Sequence, residues 1–120
     1  MIIRESAEMY LETVLVLSKK GPVHAVEIAR SLNISKPSVS VAIHNLESEH
    51  YIHIDEEGHI SLLPKGREIA ERIYERHTVL TEFFEKIGVS SESAVADACK
   101  IEHDISDESF NKVRELIKKL

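Results

Sequence analysis

A chain of 120 residues, 42% hydrophobic and 30% charged, has the size and composition of one ordinary globular domain, or of a small domain with a further helical piece. No apolar run of about 18 residues is present to span a bilayer, and the opening MIIRESAEMY lacks the apolar core and cleavage site of a secretory leader. A single cysteine excludes an internal disulfide framework and points to a reducing cytoplasm, while a net charge of −6 excludes nucleic-acid binding by bulk charge alone.

Residues from about Ser6 to Lys19 place Tyr10, Leu11, Val14, Leu15 and Leu17 at helical spacing, and Lys19-Lys20-Gly21-Pro22 ends the run. In VHAVEIARSLNIS, the apolar Val26, Ile28, Ala29 and Leu32 predict a short second helix with Asn33 as its left-handed stop. The stretch SKPSVSVAIHNLESEHY then starts a third helix with Ser35 or Lys36 as cap. Pro37 falls in its first turn, where the missing N–H is harmless, and Val39, Ile43 and Leu46 form the buried stripe. The period changes to two in YIHIDEEGHISLL, where Ile52 and Ile54 alternate with His53 and Asp55. The chain turns through Glu56-Glu57-Gly58 and returns with Ile60 and Leu62, a short hairpin. After Pro64 a long helix carries Ile69, Ile73, Leu80, Phe83, Phe84 and Ile87 and stops at Gly88. Ser90 or Ser91 caps a further helix, and Ser106-Asp107-Glu108 starts a last one with Phe110, Val113, Leu116, Ile117 and Leu120 apolar.

The order is mainly α, and three short helices followed by a two-stranded ribbon predict a winged helix-turn-helix. Its third helix is the element placed to enter a major groove. Ser35, Lys36, Pro37 and Ser38 open that helix, with Ser40, His44 and Asn45 along its less apolar side. Small hydroxyls, a lysine and free backbone N–H groups at a helix N-terminus suit phosphates and base edges. Lys65 and Arg67 after the hairpin, with Arg4 and Arg30, are candidates for the flanking DNA backbone. The competing reading makes Ser35 and Ser38 simple capping residues and Lys36 a solvated charge. The face is poor in Arg, Asn and Gln, so specificity leans on few base contacts plus DNA shape, and a dimer supplies the missing affinity.

The stretch CKIEH sets Cys99, Glu102 and His103 within an arc of about 100° if it is helical. Met9 and Glu12 share a face of the first helix, and His77 sits where the polar ERIYER meets the apolar TVLTEFF. Each has a bland reading: a packed cysteine or methionine, a solvated glutamate, a surface histidine. Together they offer thioether, thiolate, carboxylates and two imidazoles, a donor set of mixed softness suited to a divalent first-row transition metal. His24, His44, His50, His53 and His59 show no ligand spacing and read as surface residues.

With SAEMYLETV, VEIARSLNISKPSVSVAIHNLE, SLLPKGREIAERIYERHTVLTEFF and ACKIEHDISDE, the chain resembles the diphtheria toxin repressor family of metal-dependent regulators, which includes the manganese transport regulators. The resemblance runs from about residue 5 to 118, and its most specific part is the Cys-x-x-Glu-His pattern. It implies a homodimer of the short, two-domain kind: a winged-helix DNA-binding domain over residues 1–63 and a helical metal-binding and dimerisation domain over 64–120. It implies that Met9, Cys99, Glu102 and His103 match the activating metal site of the iron-responsive branch. Glu12 and His77 match positions of the manganese branch's two-metal cluster, and His77 also matches an ancillary ligand of the iron branch. Thr81 and Val95 depart from that branch's ancillary glutamate and histidine. On the DNA side Ser35 and Pro37 match base-contacting positions, and Val41 replaces a glutamine. The manganese branch carries aspartate and glutamate where this chain has Met9 and Cys99, so Fe(II) is expected ahead of Mn(II).

The expected function is a cytoplasmic transcriptional regulator, a repressor of metal-uptake genes, that binds double-stranded operator DNA when a divalent metal ties the first helix to the dimerisation half. The rival reading is a redox- or ligand-sensing winged-helix regulator with Cys99 as a thiol switch. No HExxH motif or glycine-rich phosphate loop occurs, so no enzyme is expected.

Overall fold

The computed structural model describes residues 5–120. The chain divides between Glu71 and Arg72 into two compact units. Among the described residues the order is α1 (Glu5–Ser18), α2 (Ala25–Leu32), α3 (Lys36–Ser48), β1 (Ile52–Ile54), β2 (Ile60–Leu62), α4 (Pro64–Lys86), α5 (Ser91–Ile101) and α6 (Asp107–Ile117). This is the winged helix-turn-helix followed by helices that the periodicity predicts. No helix among the described residues is long and apolar enough to cross a membrane.

In the first unit α1 packs on α2 and β2, and α3 on α2 and β1. Leu11, Val14, Val23, Ile28, Val39 and Ile52 are almost fully buried. The helix ends are local chemistry. The backbone N–H of His24 donates to Glu27 Oε1 at 2.9 Å, which closes the start of α2. Asn33, at φ 55°, ends α2, and the N–H of Ile34 reaches back to the Ala29 carbonyl at 3.0 Å. Ser35 caps α3 by accepting the N–H of Ser38 at 3.3 Å, so the cap is the serine and Lys36 opens the helix. The exit from α3 has no sequence signal: His50 itself takes φ 65°, and the N–H of Tyr51 bonds the Leu46 carbonyl at 3.0 Å.

The wing is an antiparallel pair in the register Ile52↔Leu62, His53↔Ser61, Ile54↔Ile60. Asp55 holds the turn by accepting the N–H of Glu57 at 2.9 Å and of His59 at 2.8 Å. Two further bonds attach the wing to the helices. The N–H of Ile60 donates to the Val23 carbonyl at 2.8 Å, and the N–H of Ile54 donates to Glu47 Oε2 at 2.9 Å. At the start of α4, Gly66 lies against Tyr51 so closely that a Cβ there would stand 2.1 Å from the Tyr51 carbonyl oxygen. Glycine is the residue that permits this approach.

In the second unit Ser90 caps α5 and Ser106 caps α6, accepting the N–H of Ser93 at 3.3 Å and of Ser109 at 3.1 Å. The core is Leu80 of α4, Ala98 of α5 and Phe110 of α6, joined by Val79, Phe84, Ile101, Ile105 and Val113. Ala98 is small enough to let α5 approach its neighbours closely.

Candidate metal centre and DNA-facing helix

The Leu80–Ala98–Phe110 core sets the site in the second unit, because it fixes one face of α4 against the C-terminal end of α5. His77 on α4 then lies beside the stretch that runs from Cys99 to His103. Its Nδ1 is 2.8 Å from Glu102 Oε2 and 3.7 Å from Cys99 Sγ. Glu102 turns its other oxygen, Oε1, toward His103 Nε2 at 3.4 Å. One carboxylate therefore stands between two imidazoles, with a thiol at the side. The Glu102 and His103 side chains are 3% and 4% exposed, whereas Cys99 is open to solvent. One donor atom each from His77, Cys99 and Glu102 falls within 4.8 Å of the others.

These separations fit a metal. Ligands held at 2.0–2.3 Å by a tetrahedral ion lie about 3.3–3.8 Å apart, so the thiol–imidazole spacing is already suitable. The 2.8 Å contact between His77 and Glu102 is a hydrogen bond that has to open for both to ligate. An imidazole, a thiolate and a carboxylate supply borderline, soft and hard donors, a set that first-row divalent transition metals accept.

A buried cation supports the stretch from behind. Arg76 of α4 is 4% exposed and donates through Nη1 to the carbonyls of Glu102 at 3.2 Å and Ile105 at 2.6 Å. Its Nη2 pairs with the Asp107 carboxylate, and its guanidinium lies 5.3 Å from the Phe110 ring centre. Arg76 thus closes the α5–α6 turn that carries Glu102 and His103. It was not among the candidate residues, although the sequence held a signal: it lies three residues after Ile73 and four before Leu80, on the apolar stripe of α4.

Met9 and Glu12 belong to the first unit. They are half-buried on one face of α1, and the Met9 carbonyl accepts the Thr13 hydroxyl at 2.8 Å. The DNA-facing candidates Ser35, Lys36, Pro37, Ser38 and Ser40 are all exposed around the start of α3. The Ser35 hydroxyl also donates to Ser38 Oγ at 2.9 Å. The flanking cations are engaged within the first unit: Lys65 Nζ donates to the Glu49 carbonyl at 3.1 Å, and Arg67 pairs with Glu71 at 3.6 Å. Arg30 is exposed, and Arg4 lies outside the described residues.

Of the histidines read as surface residues, two meet. The rings of His24 and His59 are edge-to-face with centroids 4.5 Å apart. His24 Nδ1 lies 3.1 Å from Glu27, and His59 Nδ1 lies 3.3 Å from Asp55. The backbone N–H of His24 holds the Glu27 carboxyl below the usual carboxylate range, and the backbone N–H of His59 does the same for Asp55.

Residues 3–60 match the family model described as "Iron dependent repressor, N-terminal DNA binding domain". Residues 63–120 match "Iron dependent repressor, metal binding and dimerisation domain". The HTH-type transcriptional regulator MntR of Geobacillus kaustophilus is 32% identical over 113 residues, which is 93% of this chain and 80% of that one. The regulator of the same name from Oceanobacillus iheyensis is also 32% identical, over 93% of this chain and 77% of that one. Among solved structures, T. acidophilum IdeR is 28% identical with a TM-score of 0.77 over 98% of this chain. A manganese-dependent transcriptional repressor in complex with manganese, 22% identical, shares the fold with a TM-score of 0.85 over 93% of this chain. The chain spans about half the length of these two solved proteins, 55% and 52%. With both halves matched and a third of its residues shared with full-length regulators, the chain belongs to the iron-dependent repressor family of metal-dependent transcriptional regulators.

Proposed function

We propose that this protein is a cytoplasmic, homodimeric repressor of metal-uptake genes that binds double-stranded operator DNA when loaded with a divalent transition metal. In this reading residues 1–63 form the DNA-binding domain and residues 64–120 the metal-binding and dimerisation domain. Met9, Glu12, His77, Cys99, Glu102 and His103 supply the metal ligands. Ser35, Lys36, Pro37, Ser38 and Ser40 face the DNA. The observation that carries the reading is the convergence of His77, Cys99 and Glu102 donors within 4.8 Å, in a chain whose other half matches a DNA-binding domain.

A bound divalent ion supplies positive charge that offsets an acidic chain and bonds that hold its ligands in one geometry. Glu102 orients the site through its contacts with His77 and His103, and Arg76 holds the backbone beneath it. In this reading Met9 and Glu12 of α1 and Cys99, Glu102 and His103 at the α5 end would hold the metal, whose bonds would supply the restraint on the DNA-binding domain. Two recognition helices spaced by a helical turn match a two-fold operator.

Cys99 and Met9 are softer than carboxylates and favour Fe(II) over Mn(II). The related repressor solved with manganese weighs for Mn(II), so the choice belongs to this chain's own donors. The deciding experiment is anaerobic fluorescence anisotropy on candidate operator duplexes with chelator, Fe(II) or Mn(II). Tight binding is expected only with metal and at lower free Fe(II) than Mn(II), and Cys99→Glu should reverse that order. Binding that is equally tight in chelator overturns the proposal. The exposed Cys99 thiol, 3.7 Å from His77 Nδ1, supports one rival, a thiol switch. That reading predicts binding that responds to oxidant and ignores chelator.

A further inference from the structure

We propose that Val41 reads a thymine methyl group in the major groove and so selects one base of each operator half-site. The inference rests on the DNA-binding reading above and adds the base that α3 prefers.

Val41 is 64% exposed, more than any other large apolar side chain among the described residues. At about 100° per residue it stands opposite the buried stripe of Val39, Ile43 and Leu46, so it contributes nothing to the core. A β-branched side chain also favours a helix less than alanine does. Packing within its own domain therefore does not use this side chain, which leaves the isopropyl group available to a molecule that α3 meets.

The surroundings restrict that molecule's chemistry. Pro37 one turn earlier and His44 one turn later share the outward face, and both are exposed. The His44 ring is turned back toward its own helix, with Nδ1 2.7 Å from the Ser40 carbonyl. From Pro37 to Leu46 α3 carries no charged side chain. Val41 is thus an apolar point on an uncharged surface, with Ser38, His44 and Asn45 as its exposed polar neighbours. Purine and cytosine edges in the major groove offer polar atoms, and an isopropyl group laid against them leaves those atoms unpaired. Thymine alone among the four bases adds an apolar group, its C5-methyl, and that methyl and the valine bury each other.

The test starts from duplexes enriched from a random library by the metal-loaded full-length protein. Each thymine of the winning sequence is replaced in turn by deoxyuridine, which removes only the methyl group. Wild type is expected to show one thymine per half-site where this weakens binding about fourfold. Val41→Ala should make the same replacement nearly silent, within about 1.5-fold, a coupling that non-contacting residues do not show. Val41→Gln should lose the thymine preference at that position. Both substitutions are at an exposed site, so circular dichroism and metal binding should match wild type. A flat deoxyuridine scan, or a sensitivity that survives in Val41→Ala, overturns the inference while leaving metal-dependent binding intact. A library from which no sequence is enriched in any metal state overturns the DNA-binding reading itself, and this inference with it.

Discussion

Arg76→Met is the substitution that most directly tests how the turn carrying Glu102 and His103 is held. Methionine keeps much of the stem and its packing on Phe110 but removes the guanidinium. The carbonyls of Glu102 and Ile105 then lose a charged donor, at about 1.5–3 kcal/mol each. Asp107 adds little to the loss, because its side chain is 82% exposed and water takes its place. Relief from desolvating a guanidinium that is 4% exposed returns part of the cost. The net expectation is a loss of about 3 kcal/mol, a large share of an ordinary domain's 5–15. In a unit of this size that lowers the unfolding midpoint by more than about 10 °C. Urea unfolding of the full chain in chelator measures the loss, with Arg76→Lys expected between the two and Asp107→Asn expected to cost less than about 1 kcal/mol. Because Glu102 and His103 ride on the same turn, Arg76→Met should also weaken metal binding more than Asp107→Asn does. A Met variant within about 0.5 kcal/mol of wild type, or one matched by Asp107→Asn, would refute the account of Arg76 as the support of this turn.

Two further outcomes follow from the wing and its attachment. Gly66→Ala gains about 1 kcal/mol of helix propensity but sets a Cβ 2.1 Å from the Tyr51 carbonyl oxygen, so a net loss of about 1–3 kcal/mol is expected in the same unfolding assay. An alanine variant of equal or greater stability would mean that α4 and Tyr51 do not approach as described. Asp55 accepts two backbone N–H groups of the wing turn, which lowers its carboxyl below the ordinary value. The folded value is then the lower one, so its contribution is complete above the unfolded value, about 3.9, and is lost as the pH falls through the folded one. Protection factors of the wing amides, with the intrinsic pH dependence of exchange divided out, should therefore fall in acid more steeply for wild type than for Asp55→Asn, and parallel profiles contradict the linkage.

The elements were legible because the chemistry that starts and stops them is local. Ser35, Ser90 and Ser106 announce three helices by the same bond to a backbone N–H three residues on, and Asn33 announces an end by its tolerance of a positive φ. The change from a helical period to alternation at Ile52 marks the wing for the same reason. His50 shows the limit: histidine enters the left-handed region more readily than most residues, but seven histidines occur in the chain and no local pattern singles out this one for the turn between α3 and β1.

The site divides along the same line. Cys99, Glu102 and His103 were visible as a group because they fall within five residues, but α5 ends at Ile101, and the donors that converge are those of His77, Cys99 and Glu102. His77 lies 22 to 25 residues from Cys99 and Glu102 and reaches them only because Leu80, Ala98 and Phe110 pack α4 against α5 and α6. The same holds for Arg76 on the 102–107 turn, for His24 against His59, and for Gly66 beneath Tyr51. By itself the sequence determined the order of the elements, the winged-helix class and a five-residue stretch of side chains able to ligate a metal, all set by hydrogen bonds and periodicities within a few residues. The tertiary structure alone decided which distant side chains join that stretch, which cation supports it and which glycine cannot be replaced. Those depend on the closest approach of packed helices, a distance that no local pattern encodes.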